Sequence, residues 1–295
     1  MRQRENERIV EPLNDKIKKE PISSFQITIP HKKINELILS ETTKSEIKSI
    51  ISKVKNYDLL YNKFGLREID KTGGRTAINL YGPPGTGKSF VAEAIATELN
   101  RKVLKVNYAE IESKYVGETP KNIHALFKLA KEKDAVLIFD EADSILSGRI
   151  SNVSQSTDHA VNLTKSVMLI ELDNFSGITI FTTNFGGNYD PAFVRRIIGH
   201  IKFKLPESKD RELIIKKQIP RKLPVELSEN DYIKIANNTT NFSGGDLLNV
   251  IIYASSQAVE RMGENCKVSL EDFEDAIEMV REAKKNIGIN MNGVY

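Results

Sequence analysis

The hydrophobic positions of this chain change their spacing along its length, and the change divides the chain into two parts. Up to about residue 208, short apolar runs alternate with segments in which apolar residues recur every three or four positions. Such runs predict strands, and the recurrence predicts helices. The predicted strands are AINLY (77–81), VLKVN (103–107), AVLIFD (135–140), ITIFTTN (178–184) and one within KFKLPES (202–208). Strands that alternate with helices form parallel sheets, so we expect a three-layer α/β/α domain with about five strands.

Beyond about residue 208 only helical spacing remains. Three serines there each precede an aspartate by three positions, which is the spacing of a capping box at the start of a helix. The pairs are Ser228 with Asp231, Ser243 with Asp246, and Ser269 with Asp272. The pattern predicts a small all-α subdomain, here named the lid, with helices at about 208–218, 228–238, 243–262 and 269–285.

The predicted organisation has five parts. They are a charged mobile arm (1–24), an N-terminal helical segment (25–60), an α/β domain (61–206), a helical lid subdomain (207–285) and a tail (286–295). Within the second part, Ile47, Ile50, Ile51 and Val54 recur on one face of a predicted helix.

Composition narrows the classes of function. Lys and Arg exceed Asp and Glu by only 43 − 40 = 3 in 295 residues, so the net charge indicates no polyanionic partner. The single cysteine, Cys266, excludes an internal disulfide and a cysteine zinc site, and it fits a reducing compartment. No apolar run approaches the roughly 18 residues of a membrane helix, and the charged amino terminus is unlike a signal peptide. We therefore expect a cytoplasmic protein without membrane contact.

The stretch YGPPGTGKSF, residues 81–90, carries the most specific chemistry in the sequence. It fits the pattern G-x-x-x-x-G-K-S/T between a predicted strand and a predicted helix, and its residues are Gly82, Pro83, Pro84, Gly85, Thr86, Gly87, Lys88 and Ser89. Glycines let backbone N–H groups converge on an anion, and the following helix adds the positive end of its dipole. Lys88 can reach the β- and γ-phosphates of a nucleotide, and Ser89 can bind Mg²⁺. A plain glycine turn is the alternative interpretation.

Two adjacent carboxylates follow the apolar run that ends at residue 140. Asp140 is expected to orient Mg²⁺ opposite Ser89, and Glu141 to act as general base toward the attacking water. A strand end followed by a helix cap is the alternative, and it accounts for Asp143. It accounts poorly for the adjacent pair, because a buried charge without a partner is costly. The sequence therefore predicts ATP and Mg²⁺ as the cofactors of a hydrolytic site.

Over about residues 60–262 these motifs resemble the AAA family of ATPases, the protein-remodelling clade of the AAA+ superfamily. GPPGTGKS and LIFDEAD are similar to its Walker A and Walker B motifs. The resemblance implies that Asn184, in TTN, is the sensor-1 residue near the γ-phosphate. It also implies that Gly244 and Gly245, in FSGGDL, lie near the adenine.

The segment DPAFVRRI, residues 190–197, resembles the family's second region of homology. By this resemblance Arg196 is an arginine finger that acts on the neighbouring subunit's nucleotide, with Arg195 beside it. The sequence departs from the family where a second arginine is common, because Gly199 stands there. A solvated basic pair in a surface loop is the alternative.

The segment that follows the second predicted strand resembles the first pore loop of protein-threading AAA ATPases. There Lys114, Tyr115 and Val116 would grip a peptide in the axial channel, because aromatic contact tolerates varied sequences. Arg149, in a polar loop at 147–159, falls where the family has its second pore loop. A tyrosine packed beneath a surface loop is the alternative for Tyr115.

The leading hypothesis is an ATP-driven ring, by resemblance a homohexamer, that remodels or unfolds a protein partner directly or through an adaptor. Bacterial ATPases that remodel HORMA-domain proteins are a candidate subfamily on general resemblance. A loader-type ATPase acting on nucleic acid is the alternative, but the chain has no basic patch or sensor-2 arginine to support it. A nucleotide-binding scaffold without turnover is disfavoured by the intact Lys88, Asp140, Glu141 and Asn184.

Overall fold

The computed structural model describes residues 25–71, 76–107, 111, 118–148, 156–184 and 186–287. The predicted arm at 1–24 and most of the predicted tail lie outside these residues. So do the predicted pore-loop residues Lys114, Tyr115, Val116 and Arg149.

Six strands within the described residues form one sheet, in the order β1-β3-β4-β5-β2-β6. They are β1 (Ile27–Thr28), β2 (Thr76–Tyr81), β3 (Lys102–Asn107), β4 (Ala135–Asp140), β5 (Ile178–Thr183) and β6 (Ile197–Lys202). Strands β2 to β6 are all parallel, and only β1 runs antiparallel, along the outer edge of β3. The predicted parallel α/β fold is confirmed.

Two strands differ from the sequence prediction. The segment predicted to be helical from residue 25 begins with β1, because Ile27 pairs with Leu104 and covers the otherwise open edge of the sheet. The last strand precedes KFKLPES and shares only Lys202 with it. Ile197 and Ile201 are the buried residues of β6. Their apolar pattern is short and directly follows an arginine pair, so it is not recognisable as a strand in the sequence.

Helices cover both faces of the sheet. Helices α1 (Glu41–Lys55) and α2 (Lys88–Glu98) pack on one face. The other face carries α3 (Glu118–Glu132), α4 (Asp143–Leu146), α5 (Ser156–Asn174) and α6 (Pro191–Val194). The predicted buried face of α1 is confirmed, since Ile47, Ile50 and Ile51 all lie in the core. The result is the predicted three-layer arrangement.

Strand β4 lies inside the sheet and gives rigid support to the residues at its carboxyl end. Its first five residues, Ala135 to Phe139, are almost completely buried between the two helical layers. Burying each large aliphatic or aromatic side chain contributes about 1.5–3 kcal/mol, so this strand is firmly held. Asp140, the sixth residue, is only partly buried and lies at the carboxyl end of the strand.

Four further helices form the predicted lid. They are α7 (Ser208–Gln218), α8 (Glu229–Asn238), α9 (Gly244–Met262) and α10 (Leu270–Asn286). Their own core includes Phe242, Leu247 and Phe273. All three predicted capping boxes are confirmed, with each serine bonded to the backbone N–H of its aspartate and each aspartate to that of its serine. None of the described helices is both long and apolar enough to cross a bilayer.

Candidate active site

The carboxyl ends of β2, β4 and β5 open onto one cavity of about 420 Å³. This lies within the usual range for small-molecule sites, roughly 300–1,000 Å³. The cavity is lined by Pro84, Gly85, Gly87, Lys88, Ser89, Phe90, Asp140, Glu141, Thr182, Thr183 and Asn184. The structure thus brings most of the predicted phosphate loop together with both predicted acids and the predicted sensor.

The phosphate loop folds around its own lysine. The Lys88 ammonium is buried and donates hydrogen bonds to the carbonyl oxygens of Gly82 at 2.8 Å and Pro83 at 2.7 Å. Burial lowers the pKa of Lys88 to about 8, although Asp143 and Asp140 act in the opposite direction. Gly82 permits this close turn, since a Cβ there would stand 2.1 Å from the Phe203 carbonyl oxygen. An incoming anion would compete with these two neutral carbonyl oxygens for a lysine that is already in place.

Both oxygens of Asp140 are engaged. Oδ1 accepts hydrogen bonds from the Ser89 hydroxyl, at 2.8 Å, and from the Thr182 hydroxyl. Oδ2 lies 2.8 Å from the ammonium of Lys105 on β3. Burial alone would raise the pKa of Asp140, but hydrogen bonds from Lys105, Thr182 and Ser89 outweigh it and lower the pKa. The carboxylate is therefore charged at neutral pH, with Oδ1 turned toward Ser89.

Glu141 occupies an unusual backbone position. Its φ of 55° places it in the left-handed region, which non-glycine residues rarely adopt and which is found preferentially at functional sites. The exposed carboxylate faces the cavity, and its Oε2 accepts a hydrogen bond of 2.9 Å from the Asn107 side chain at the end of β3. Beneath it, the Thr183 hydroxyl donates to Asp143. The strained turn directs Glu141 into the cavity instead of along the strand.

The oxygen groups at Ser89 and Asp140 fit a small, hard cation such as Mg²⁺. Such an ion takes oxygen ligands and is held by one or two carboxylates together with phosphate groups and waters. No cluster of three or more histidine, cysteine, aspartate or glutamate side chains that could hold a metal occurs in the described ranges. Ser89 and Asp140 are the residues that would hold Mg²⁺ together with phosphate groups and waters.

The lid touches the phosphate loop directly. The backbone N–H of Gly245 donates to the carbonyl oxygen of Gly85 at 3.1 Å, and a Cβ on Gly85 would stand 2.5 Å from the Ser243 hydroxyl oxygen. The Gln218 side chain, in turn, donates to the carbonyl oxygen of Gly244 at 3.0 Å. Gly244 and Gly245 thus lie against the loop, and neither lines the cavity; their place near the adenine stays a prediction.

Comparisons with known proteins agree with this geometry. Residues 78–205 match the family model described as "ATPase family associated with various cellular activities (AAA)". This chain contains an AAA ATPase domain. The matched family is one of ATPases, and every residue that lines the cavity lies within the matched range.

Individual relatives show how far the match extends. The proteasome-activating nucleotidase of Saccharolobus islandicus is 35% identical over 215 residues, covering 70% of this chain and 53% of that protein. Protein SAV of Sulfolobus acidocaldarius is 29% identical over 288 residues, covering 95% of this chain and 35% of that protein. This AAA chain therefore spans about a third to a half of the length of these relatives.

A solved structure supports the fold independently. The crystal structure of the FIGL-1 AAA domain in complex with ADP superposes with a TM-score of 0.69 at 23% identity, covering 88% of each chain. At this level of identity the likeness concerns the fold, including the helical lid that follows the sheet.

The predicted arginine finger lies away from the AAA chain's own cavity. The Arg196 guanidinium forms two hydrogen bonds with the carboxylate of Asp173 on α5, at 2.9 and 2.6 Å, and a third with the Ala192 carbonyl oxygen. It is absent from the residues that line the cavity. Arg195 beside it is exposed.

Sequence reasoning missed several partners of the site residues. Lys105, Asn107 and Asp173 each contact a predicted functional side chain, and none belongs to a recognisable motif. One signal was available for Lys105 and Asn107, because both are polar residues in the predicted strand at 103–107. For Asp173 the sequence offers no signal.

Proposed function

We propose that this AAA ATPase forms a ring that remodels or unfolds a protein partner by pulling it with pore loops. One observation carries the proposal: Lys88, Asp140, Glu141 and Asn184 meet around a single cavity at the edge of a rigid sheet. A chain that only bound nucleotide would have no need for a glutamate in a strained backbone conformation at this cavity.

Each residue of the cavity has a proposed task. Backbone N–H groups of the loop and Lys88 hold the phosphates, because both present positive charge to an anion. Ser89 and Asp140 would hold Mg²⁺, which supplies charge neutralisation on the phosphates when it is bound. Glu141 takes a proton from the attacking water, and Asn184 orients that water and the γ-phosphate.

A second copy of the chain is proposed to complete the site. Arg196 does not line its own cavity, so its charge is available only to a nucleotide bound elsewhere. An arginine that acts between identical subunits needs a contact between copies, which a head-to-tail ring supplies at every site, and we propose a homohexamer. The single cysteine, Cys266, is buried and unpaired, which fits the proposed cytoplasmic compartment.

The proposal of a protein substrate has two supports. The relative from Saccharolobus islandicus is called a proteasome-activating nucleotidase, and the sequence carries the pore-loop resemblance at Lys114, Tyr115 and Val116. We propose that these residues contact the polypeptide and that an adaptor selects it. No basic module in the sequence favours a nucleic-acid substrate.

Replacing Tyr115 by Ala tests the pulling mechanism. A Glu141→Gln variant with ATP should retain the partner, which can then be purified and used as a defined substrate. With Tyr115→Ala, the ATP-driven loss of the partner's protease resistance should fall at least about tenfold, because the aromatic grip is lost. Basal ATPase should stay within about twofold of wild type, since the cavity is untouched.

Two variants control this experiment. Tyr115→Phe keeps the ring and should keep most of the remodelling. Tyr253→Ala removes an exposed tyrosine from the lid helix α9 and should have no effect. Normal remodelling by Tyr115→Ala would exclude the pore-loop role.

A further inference from the structure

Lys105 stands between two carboxylates, one of which belongs to the active site. Its ammonium lies 2.8 Å from Asp140 Oδ2 and 3.6 Å from Glu93 Oε1. Glu93 projects from α2, the helix that follows the phosphate loop, and its other oxygen lies 2.8 Å from the ammonium of Lys32. A chain of alternating charges thus runs from Lys32 through Glu93 and Lys105 to Asp140.

The two carboxylate oxygens of Asp140 have different partners. Oδ1 accepts from the hydroxyls of Ser89 and Thr182 and faces the cavity. Oδ2 is turned toward Lys105, which supplies its positive charge from the neighbouring strand β3. In this arrangement a lysine neutralises the same carboxylate that is proposed to help hold a divalent cation. A cation at Ser89 and an ammonium on Oδ2 would lie close together and repel each other.

We propose that Lys105 is an exchangeable counter-ion of Asp140, which competes with Mg²⁺ and moves to Glu93 when the metal binds. Lys105 is then a positioning residue that sets how much Mg²⁺ the nucleotide site requires. Glu93 is suited to receive it, because its Oε1 already lies 3.6 Å from the ammonium while Lys32 occupies Oε2. This inference rests on the proposed role of Asp140 as a metal-facing acid.

The exchange predicts opposite effects for its two partners. Without the Lys105 charge, Mg²⁺ no longer competes for Asp140 and should bind at a lower concentration. Without the Glu93 charge, the ammonium loses its second carboxylate, stays on Asp140 and should raise the Mg²⁺ concentration required. In both cases we expect a change of about three- to tenfold, because these charges are only partly shielded from solvent.

The experiment measures nucleotide binding and therefore does not depend on turnover. Fluorescent N-methylanthraniloyl-ADP is titrated onto the full chain in EDTA and at increasing Mg²⁺, and the Mg²⁺ concentration that gives half of the affinity gain is recorded. The variants are Lys105→Met, Lys105→Gln, Lys105→Arg, Glu93→Gln and the double variant Lys105→Met/Glu93→Gln. Affinity in EDTA reports whether each variant keeps an intact loop.

Matched controls remove the same charges from the same elements. Lys102→Met lies on the exposed side of β3, and Glu98→Gln lies at the exposed end of α2. Neither should shift the Mg²⁺ midpoint by more than about twofold, because exposed charges at a distance are screened. Lys105→Arg keeps the charge and should stay near the wild-type midpoint.

The double variant distinguishes movement of the Lys105 ammonium from Asp140 to Glu93 from a general change in electrostatic potential at the metal site. If the ammonium moves to Glu93, then Glu93→Gln should raise the midpoint only while Lys105 is present. An equal rise in the Lys105→Met background would overturn the proposal, as would a higher or unchanged midpoint in both Lys105→Met and Lys105→Gln. Asp140→Asn separates the two levels of inference. If Mg²⁺ dependence is unchanged in that variant, the proposed role of Asp140 itself is wrong.

Discussion

The phosphate-binding edge of the sheet, with Lys88 and Asp140, and the arginine-bearing segment at 190–196 differ in where their charged side chains make contacts. At the sheet edge, Lys88 and Asp140 face one cavity and make their contacts around it. In the arginine-bearing segment, Arg196 turns to Asp173 on the helix α5, outside that cavity. The first region makes its contacts within one chain, whereas the second carries the arginine that we propose acts on another copy.

The difference follows from how each region is supported. The sheet edge is formed by strands that are buried between two layers of helices, so its side chains keep fixed positions. The arginine-bearing segment contains only the four-residue helix α6 and a turn before β6. Asp190 caps that helix and Phe193 anchors it in the core, but the two arginines lie beyond the anchored part. An ion pair with Asp173 that is partly exposed to solvent is weak enough to exchange for a stronger anion.

The largest effect is expected from replacing Arg196 by Ala, which removes the charge offered to a neighbouring nucleotide. The rate of ATP hydrolysis should fall about a thousandfold, the lower range for an arginine that stabilises phosphoryl transfer. Glu141→Gln should also turn over slowly, because the proposed base is lost. Mixing the two inactive variants should restore hydrolysis, since about a quarter of the interfaces in a random ring then carry both intact residues. Phosphate release against mixing ratio measures the recovery.

Arg195→Ala is the matched control for this test. It removes a neighbouring, exposed arginine and should keep most of the activity if Arg196 is the finger. A mixture that stays inactive, or a monomer that hydrolyses ATP at the full rate, would show that each chain completes its own site.

The contrast between the regions also explains what the sequence could predict. The phosphate loop, the acidic pair and the three capping boxes depend on residues that are close in sequence, and local chemistry makes them recognisable. The contacts of Lys105 with Asp140 and of Arg196 with Asp173 depend on how separate elements are placed. No spacing rule connects such pairs, because the sheet order and the helix positions bring them together.

A smaller effect is expected where the lid meets the phosphate loop, at Gly85. Its φ of 72° strains any other residue, and a Cβ there would meet the Ser243 hydroxyl that caps α9. Strain of about 1 kcal/mol and loss of the cap, about another 1 kcal/mol, should together lower the free energy of unfolding by about 2 kcal/mol in Gly85→Ala. Denaturant unfolding measures this change.

Gly263→Ala separates strain from contact. Gly263 also has a positive φ, of 57°, but no atom lies within 4 Å of where its Cβ would be. It should therefore show only the strain, about 1 kcal/mol. Equal losses at the two glycines would mean that the lid does not press on the loop.

The smallest effect concerns the charge of Lys88 and appears only with pH. Burial lowers the pKa of this lysine from 10.5 to about 8, so the unliganded protein loses its proton above that pH. Nucleotide phosphates favour the charged form, and binding must then take up a proton. Affinity for N-methylanthraniloyl-ADP should fall about tenfold from about pH 7 to about pH 9, and heats of binding should vary with the ionisation enthalpy of the buffer.

The Lys88 ammonium should also affect folding, but in the opposite direction. The free energy of unfolding should rise with pH while the affinity for nucleotide falls. Between about pH 8 and 10.5 the unfolded chain binds the Lys88 proton and the folded chain does not, so this lysine makes the unliganded protein more stable as the pH rises. Lys88→Arg stays charged throughout the range and should remove both trends. If the wild-type affinity does not change up to pH 9, the Lys88 ammonium is more exposed to solvent than its burial in the structure indicates. The phosphate-binding edge would then be as open to solvent as the arginine-bearing segment.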